Sequence, residues 1–234
     1  MLGKEVVRQL EKTDHNDLYL PIFRIERSEQ LMDDLPSCDF IINCAGSVPQ
    51  KQPDIDCMIH NNSVLPYILA DFDIPMIHVS TDCVFSGIIP PPFLYSNNHP
   101  TTPNSPYGMT KALGEVQSSR VMNLRTSFIG RDHGLYAWLL ENRNNNMVVG
   151  WTQAMWSGSS AKEVAKAIVR MVDAGWKGGT YHLATEEPIS KYDLLCHLVN
   201  RIGLRVNVVP NDRPIVNRGL VADFVLPSID ESEL

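Results

Sequence analysis

Ile77-His78-Val79-Ser80-Thr81-Asp82-Cys83-Val84-Phe85-Ser86-Gly87, a proline-rich gap, then Pro106-Tyr107-Gly108-Met109-Thr110-Lys111-Ala112-Leu113-Gly114-Glu115: these two segments decide how the chain reads. The first has the form of a buried strand with a hydroxyl-rich tip. The second opens a helix, with proline in the first turn, where its missing N–H has no intrahelical role. Tyr107 and Lys111 stand four residues apart, so phenol and ammonium share one helical face. A cation beside a phenol favours the phenolate and lowers its pKa from about 10. Such a pair can give or take a proton near neutral pH. Ser80 or Thr81, on the strand tip, could bond the same substrate oxygen. The spacing alone is unspecific, because a solvated lysine beside a half-buried tyrosine produces it too.

The Ser-Thr-Asp tip and the Pro-Tyr-Gly-x-x-Lys-Ala-x-Gly-Glu context narrow the reading. Together they resemble the extended short-chain dehydrogenase/reductase family, in its dTDP-4-dehydrorhamnose reductase-like, sugar-nucleotide-modifying branch. The resemblance runs from Met1 to about Leu226 and is most specific at residues 80–87 and 106–115. It implies an α/β fold: a Rossmann-type doubly wound parallel sheet, N-terminally truncated, with a smaller C-terminal α/β substrate lobe. Residues 1–130 would form the dinucleotide-binding part. Residues 131–234 would form mainly the substrate lobe, partly interleaved with the first.

The totals agree with a single large unit. The 234 residues are 44% hydrophobic and 20% charged, ordinary for a soluble globular chain. A formal net charge of −7 argues against nonspecific nucleic-acid binding, which needs a basic face. Cys38, Cys44, Cys57, Cys83 and Cys196 form no CxxC pair and no metal-ligand spacing with the seven histidines. Reduced thiols and a cytoplasmic location are expected. No metal site is expected, and no apolar run approaches the roughly 20 residues of a membrane span.

The opening residues carry the main departure from the family pattern. Leu2, Val6, Val7 and Leu10 repeat at helical spacing. In a dinucleotide-binding fold a strand and a glycine-rich turn precede this helix. Gly3 matches the last glycine of the family's Gly-x-x-Gly-x-x-Gly, and the strand and first two glycines are not in the sequence. That strand is central, so its removal opens a gap of about 9–10 Å in the sheet. Each orphaned backbone group costs on the order of 1–3 kcal/mol. The favoured reading is a start upstream of Met1. The others are a sheet closed without the strand, or a product that no longer binds cofactor normally.

Further along, Leu18 to Phe23 reads as a short strand demoted by Pro21, and Glu26 to Leu35 as a helix capped by Ser28. An arginine after that strand would suit a 2′-phosphate, and Arg24 and Arg27 are the candidates, leaning toward NADPH over NADH. Cys38 to Asn43 reads as a buried strand ending in Cys44-Ala45-Gly46, small residues that permit close backbone approach. The resemblance implies that they line the cofactor's adenosine and ribose path. It also implies that Asn62 steadies the active-site region. Asn62 lies in a helix expected from Ile59 to Ala70 and kinked by Pro66. Residues 86–105 hold Pro90, Pro91, Pro92, Pro100 and Pro103 and read as a functional loop over the site.

Val121 to Gly130 reads as the next strand, with Phe128 at the family's sugar-facing aromatic position. Core packing is the competing account for Phe128. Trp151 and Trp156 could stack on a nucleotide-sugar, again against core packing. Helices are expected over Ser160 to Ala174 and Lys191 to Ile202, the latter capped by Ser190. Asn217-Arg218 resembles a late family segment near the substrate phosphates, and a guanidinium binds phosphate bidentately.

The implied activity is NAD(P)H-dependent reduction of a 4-keto-6-deoxy sugar nucleotide, with a possible homodimer. By resemblance, Tyr107 protonates the developing alkoxide, and Lys111 lowers the Tyr107 pKa and holds the nicotinamide ribose. Thr81 bonds the reacting oxygen, Ser80 lies on the cofactor side and Asp82 on the substrate side. Two rivals use the same residues otherwise: an epimerase or dehydratase that keeps its cofactor bound, and a non-catalytic cofactor-fold subunit.

Overall fold

The computed structural model describes residues 2–13, 37–49, 54–130 and 134–229. Helix α1 (Leu2–Leu10) precedes strand β1 (Ile41–Asn43). A broken helix follows: α2 (Ile55–Ile59), a π-helical turn (His60–Val64) and α3 (Leu65–Ala70). Then come β2 (Met76–Thr81), a 3-10 turn (Asp82–Val84), α4 (Pro106–Leu113), β3 (Val121–Thr126) and β4 (Phe128–Ile129). The remainder is α5 (Gly134–Glu141), β5 (Met147–Trp151), β6 (Ala154–Trp156), β7 (Ser159–Ser160), α6 (Ala161–Ala174), β8 (Gly179–Ala184), β9 (Ile189–Ser190), α7 (Lys191–Ile202), β10 (Asn207–Asn211), β11 (Val216–Asn217) and β12 (Phe224–Val225).

The main sheet runs β1-β2-β3-β8-β12, all parallel, in the Rossmann-like manner expected. Its far edge at β1 has no partner among the described residues. The strand, the helix and the Arg24 and Arg27 sites read from Leu18 to Leu35 lie outside the described residues. Smaller sheets pair β10 with β5, β11 with β6 and β9, and β4 with β7. After residue 130 the chain leaves the main sheet, returns for β8, leaves again and returns for β12.

The two faces of the sheet differ in kind. Ile77 and Val79 of β2 and Met122 and Leu124 of β3 point to one face. There α1 contributes Leu2, Val6 and Leu10, and α6 contributes Val164 and Ile168. The alternate residues are largely polar and equally buried. Asn43, His78 and Asn123 stand in register across three strands, as do Ser80, Arg125 and His182. All six are 4% exposed or less. A second apolar core, with Leu139, Val148, Trp156, Leu194 and Leu198, fills the lobe built after residue 128.

Several element ends have local causes. Ser105, Ser160 and Ser190 cap α4, α6 and α7 by accepting the N–H of Gly108, Glu163 and Asp193. Helix α4 ends at Leu113, where Gly114 packs against the Asn62 carbonyl and leaves no room for a Cβ. Pro66 does not kink the helix at its own position. The disturbance falls one turn earlier as the π-turn, which holds Asn62 and Ser63. The proline-rich loop is pinned to the C-terminal segment. Tyr95 stacks on Phe85 at 4.1 Å, its hydroxyl accepts the Gly87 N–H at 3.1 Å, and its backbone bridges Leu220.

Beneath α4 the polar face is closed by an ion pair. Glu115 accepts from Arg125 Nε at 2.8 Å and Nη2 at 2.7 Å, and from Ser80 Oγ at 2.7 Å. Its side chain is 4% exposed and that of Arg125 5%. Arg125→Met should cost about 3–5 kcal/mol by leaving a buried carboxylate unpaired. Adding Glu115→Leu should restore most of that loss, read from urea unfolding midpoints.

His182 gives a pH signature. Its Nδ1 donates to the Val221 carbonyl at 3.2 Å, so Nε2 is left to accept from Arg125 Nη1 at 3.4 Å. Burial first, then Arg125, holds its pKa down from 6.5 to about 4, with Asp223, the Val221 carbonyl and Glu115 opposing. Between those values the unfolded imidazole binds a proton that the folded one refuses. Stability from this group is therefore full above pH 6.5 and lost as pH falls toward 4. His182→Gln should flatten the stability profile across that window in pH-dependent urea titrations.

Candidate active site

The strand tips of β1, β2 and β3 and the start of α4 meet at the C-terminal edge of the main sheet. This edge is the usual ligand crevice of open α/β sheets. Helix α4 reaches it because Gly108 lies directly on the Cys83 carbonyl, where any side chain would collide. That contact sets Tyr107 beside the Thr81-Asp82-Cys83 tip. Thr81 Oγ1 donates to Asp82 Oδ1 at 3.1 Å and accepts the Cys83 N–H at 3.2 Å, which fixes its rotamer.

Burial pushes the Tyr107 phenol above its ordinary value, helped by Cys83 and Asp82, while hydrogen bonding to Thr81 pulls the other way. The expectation that Lys111 lowers this pKa is not met. Lys111 is 3% exposed and donates to the Val79 carbonyl at 2.7 Å. Desolvation of the phenol outweighs any influence from an ammonium anchored there. Tyr107 is accordingly a neutral proton donor at neutral pH.

Lys111 belongs to a buried chain of its own. Asn43 Oδ1 accepts the Ala45 N–H at 3.0 Å, which turns Nδ2 toward His78 Nδ1, also at 3.0 Å. His78 Nε2 lies 3.4 Å from Lys111 Nζ. Burial and Lys111 hold His78 well below its ordinary pKa, so it stays neutral. Burial also draws Lys111 down to about 8, against the support of Glu115 and Cys44.

The other sequence candidates separate into groups. Gly3 lies against Cys44, and Ala45 and Gly46 are exposed at the β1 tip, so these four form one small-residue corner beside the start of α1. Small side chains there leave room for close backbone approach by a ligand. The residues present therefore fit a nicotinamide cofactor. Asn62 is fully buried and ties the corner to α4: it accepts the Ser47 N–H at 2.8 Å and donates to the Ser47 carbonyl and to Thr110 Oγ1. It steadies the region and does not face the crevice. Ser80 likewise points its hydroxyl to Glu115, away from the crevice, because it falls on the polar underside of β2.

On the substrate side, Phe128 is half-buried and packs against the main apolar core. Trp156 is 3% exposed and donates to Ser127 Oγ at 2.7 Å, whereas Trp151 is exposed on the β5 edge. Arg218 donates to the Phe85 carbonyl, Cys83 Sγ and Asn104 Oδ1, which leaves two of its five N–H groups. Three participants escaped sequence reading: Cys83, Asn104 and Lys191. The ammonium of Lys191 rests 4.7 Å from the Trp156 ring centroid. Among the described residues no group of histidine, cysteine and carboxylate side chains could hold a metal ion.

Burial raises the Cys44 and Cys83 thiols to about 12. Both should resist iodoacetamide at pH 8 in the native protein and react after denaturation, read by peptide mass spectrometry.

A family model described as "RmlD substrate binding domain" matches residues 1–218. The chain is 25% identical, over 97% of its length and 83% of the relative's, to a Haloferax volcanii protein named "probable low-salt glycan biosynthesis reductase Agl14". It is 33% identical to a Streptomyces antibioticus protein named "probable dTDP-4,6-dihydroxy-2-methyloxan-3-one 4-ketoreductase", over 49% of the chain and 42% of the relative. In fold it is similar to the Bacillus anthracis dTDP-4-dehydrorhamnose reductase solved in complex with NADP. That likeness has a TM-score of 0.80 at 20% identity and covers 98% of this chain and 92% of the other.

Proposed function

The chain belongs to the RmlD substrate-binding-domain family, and from that membership we propose that it reduces the 4-keto group of a 6-deoxy sugar nucleotide with NADPH or NADH. The observation that carries the reading is the meeting of Thr81, Tyr107 and Lys111 at the C-terminal edge of the parallel sheet. The names of the relatives support it: they include a ketoreductase and a dTDP-4-keto-6-deoxy-D-glucose reductase of Streptomyces niveus. A spore coat polysaccharide biosynthesis protein of Bacillus subtilis is similar over 89% of the chain.

The nicotinamide cofactor, when bound, supplies the hydride. Everything else falls to the chain. Thr81, its rotamer fixed by Asp82 and Cys83, orients the substrate carbonyl. Tyr107 gives its phenolic proton to the carbonyl oxygen as negative charge develops there. Burial keeps the phenol protonated, as donation requires. Lys111, held on the Val79 carbonyl, receives the cofactor ribose. Gly3, Cys44, Ala45 and Gly46 would border the rest of the dinucleotide. Arg218 keeps two N–H groups for substrate phosphate.

The net charge of −7 favours small-molecule partners over nucleic acid, and five cysteines with no CxxC pair suit a cytoplasmic setting. No helix among the described residues is long and apolar enough to cross a membrane. A homodimer is part of the same reading.

The test follows NADPH or NADH absorbance with a dTDP-4-keto-6-deoxy sugar. Tyr107→Phe should lower kcat by about 100-fold or more and leave substrate affinity nearly unchanged, since proton donation acts in the transition state. Wild-type turnover retained in that variant would overturn the assignment. Cofactor binding without turnover by the unmodified chain would point to a non-catalytic subunit.

A further inference from the structure

We propose that Lys191 is a receptor for the diphosphate of the substrate, acting with Arg218 beside the tip of β2. The inference rests on the sugar-nucleotide reading and assigns a residue that reading does not use.

Lys191 is the first residue of α7, immediately after the Ser190 cap. A lysine there would ordinarily extend into water. Its ammonium instead turns inward over the Trp156 ring at 4.7 Å. Trp156 is itself immobilised by its bond to Ser127 and by the lobe core. The charged and titratable groups facing Lys191 are Asp82 and Cys83 from the β2 tip and Arg218 from the C-terminal segment. None of the ion pairs among the described residues involves Lys191. Asp82 is the one anion of this set, and its carboxylate already accepts the Thr81 hydroxyl. Two cations against one carboxylate leave a positive excess in a partly dry crevice.

Such an arrangement is costly without a guest. Burial and Arg218 both work against the charge on Lys191 and bring it down to about 8, although Asp82 and Cys83 support it. An incoming anion compensates the desolvated charge. The chemistry favours phosphate over a neutral sugar hydroxyl. An ammonium serves phosphate as a point charge, a guanidinium adds directed N–H groups, and the start of a helix favours negative charge. The two cations come from different excursions of the chain and converge beside Cys83, which Arg218 contacts and which influences Tyr107. A diphosphate held there leaves the attached sugar next to the proton donor.

The experiment is calorimetric titration of dTDP, UDP and dTMP into the full chain, its Lys191→Met variant and its Lys191→Arg variant. Lys191→Met should weaken dTDP or UDP by roughly tenfold or more, the worth of one charged hydrogen bond. Lys191→Arg should restore most of the affinity, and thermal midpoints should match wild type. With keto-sugar substrate, KM should rise more than kcat falls. Equal diphosphate affinity in wild type and Lys191→Met overturns the inference while the reductase reading stands. A loss for dTMP as large as that for dTDP also overturns it, because one phosphate would then account for the whole contact. Wild type that neither binds a diphosphate nor reduces a keto-sugar nucleotide removes both readings.

Discussion

The contact between Glu115 and Arg125 holds the site together. It joins the end of the segment carrying Tyr107 and Lys111 to the C-terminal end of β3, and Ser80 of β2 donates to the same carboxylate. On the other side Arg125 meets His182 of β8, whose backbone N–H donates to Asp223 just before β12. One guanidinium thus spans the helix and three strands. A buried pair of this kind adds little net stability over apolar packing, because two charges must leave water. Its contribution here is registration: apolar side chains would tolerate a shift of α4 along the sheet, and a bidentate carboxylate–guanidinium pair would not.

Two backbone contacts complete the positioning of α4. Gly108 rests on the Cys83 carbonyl and Gly114 on the Asn62 carbonyl, so the helix touches the chain at both ends with no side chain between. Pro66 has no N–H to offer residue 62, and the π-turn around Asn62 opens the ladder at that point. The irregular turn, the proline and the glycine are thus one feature. Asn62 then uses its amide to hold Ser47 and Thr110, which links the cofactor corner to the proton donor.

Much of this fold was legible because it rests on local signals. The Ser190 cap and the helical spacing of residues 2–10 and 160–174 place those helices within a residue or two of their observed ends. The Tyr-x-x-x-Lys spacing was legible as one face of the helix that starts at Pro106. Its electrostatics did not follow from spacing, since burial raises the phenol and the Val79 carbonyl takes the lysine. The polar face of the sheet was hidden for a different reason. His78, Asn123, Arg125 and His182 are far apart in sequence, and only strand register aligns them. Ser80 was misjudged by the same gap, being one residue from Thr81 and therefore on the opposite face. Lys191 carried no signal, because a lysine after a cap looks solvated until its neighbours across the crevice are known.

The twice-returning path of the chain has a consequence for how the molecule comes into being. β3 waits for β8 on its open side, and β8 waits for β12, so the main sheet lacks its last hydrogen-bonded neighbour until about the final tenth of the chain has left the ribosome. The lobe between these strands is laid down inside the interval and cannot be shed without opening the sheet. Chemistry and recognition are therefore inherited as one cooperative body. A lesion far down the chain, at Phe224 or Val225, reaches β3 through pairing alone.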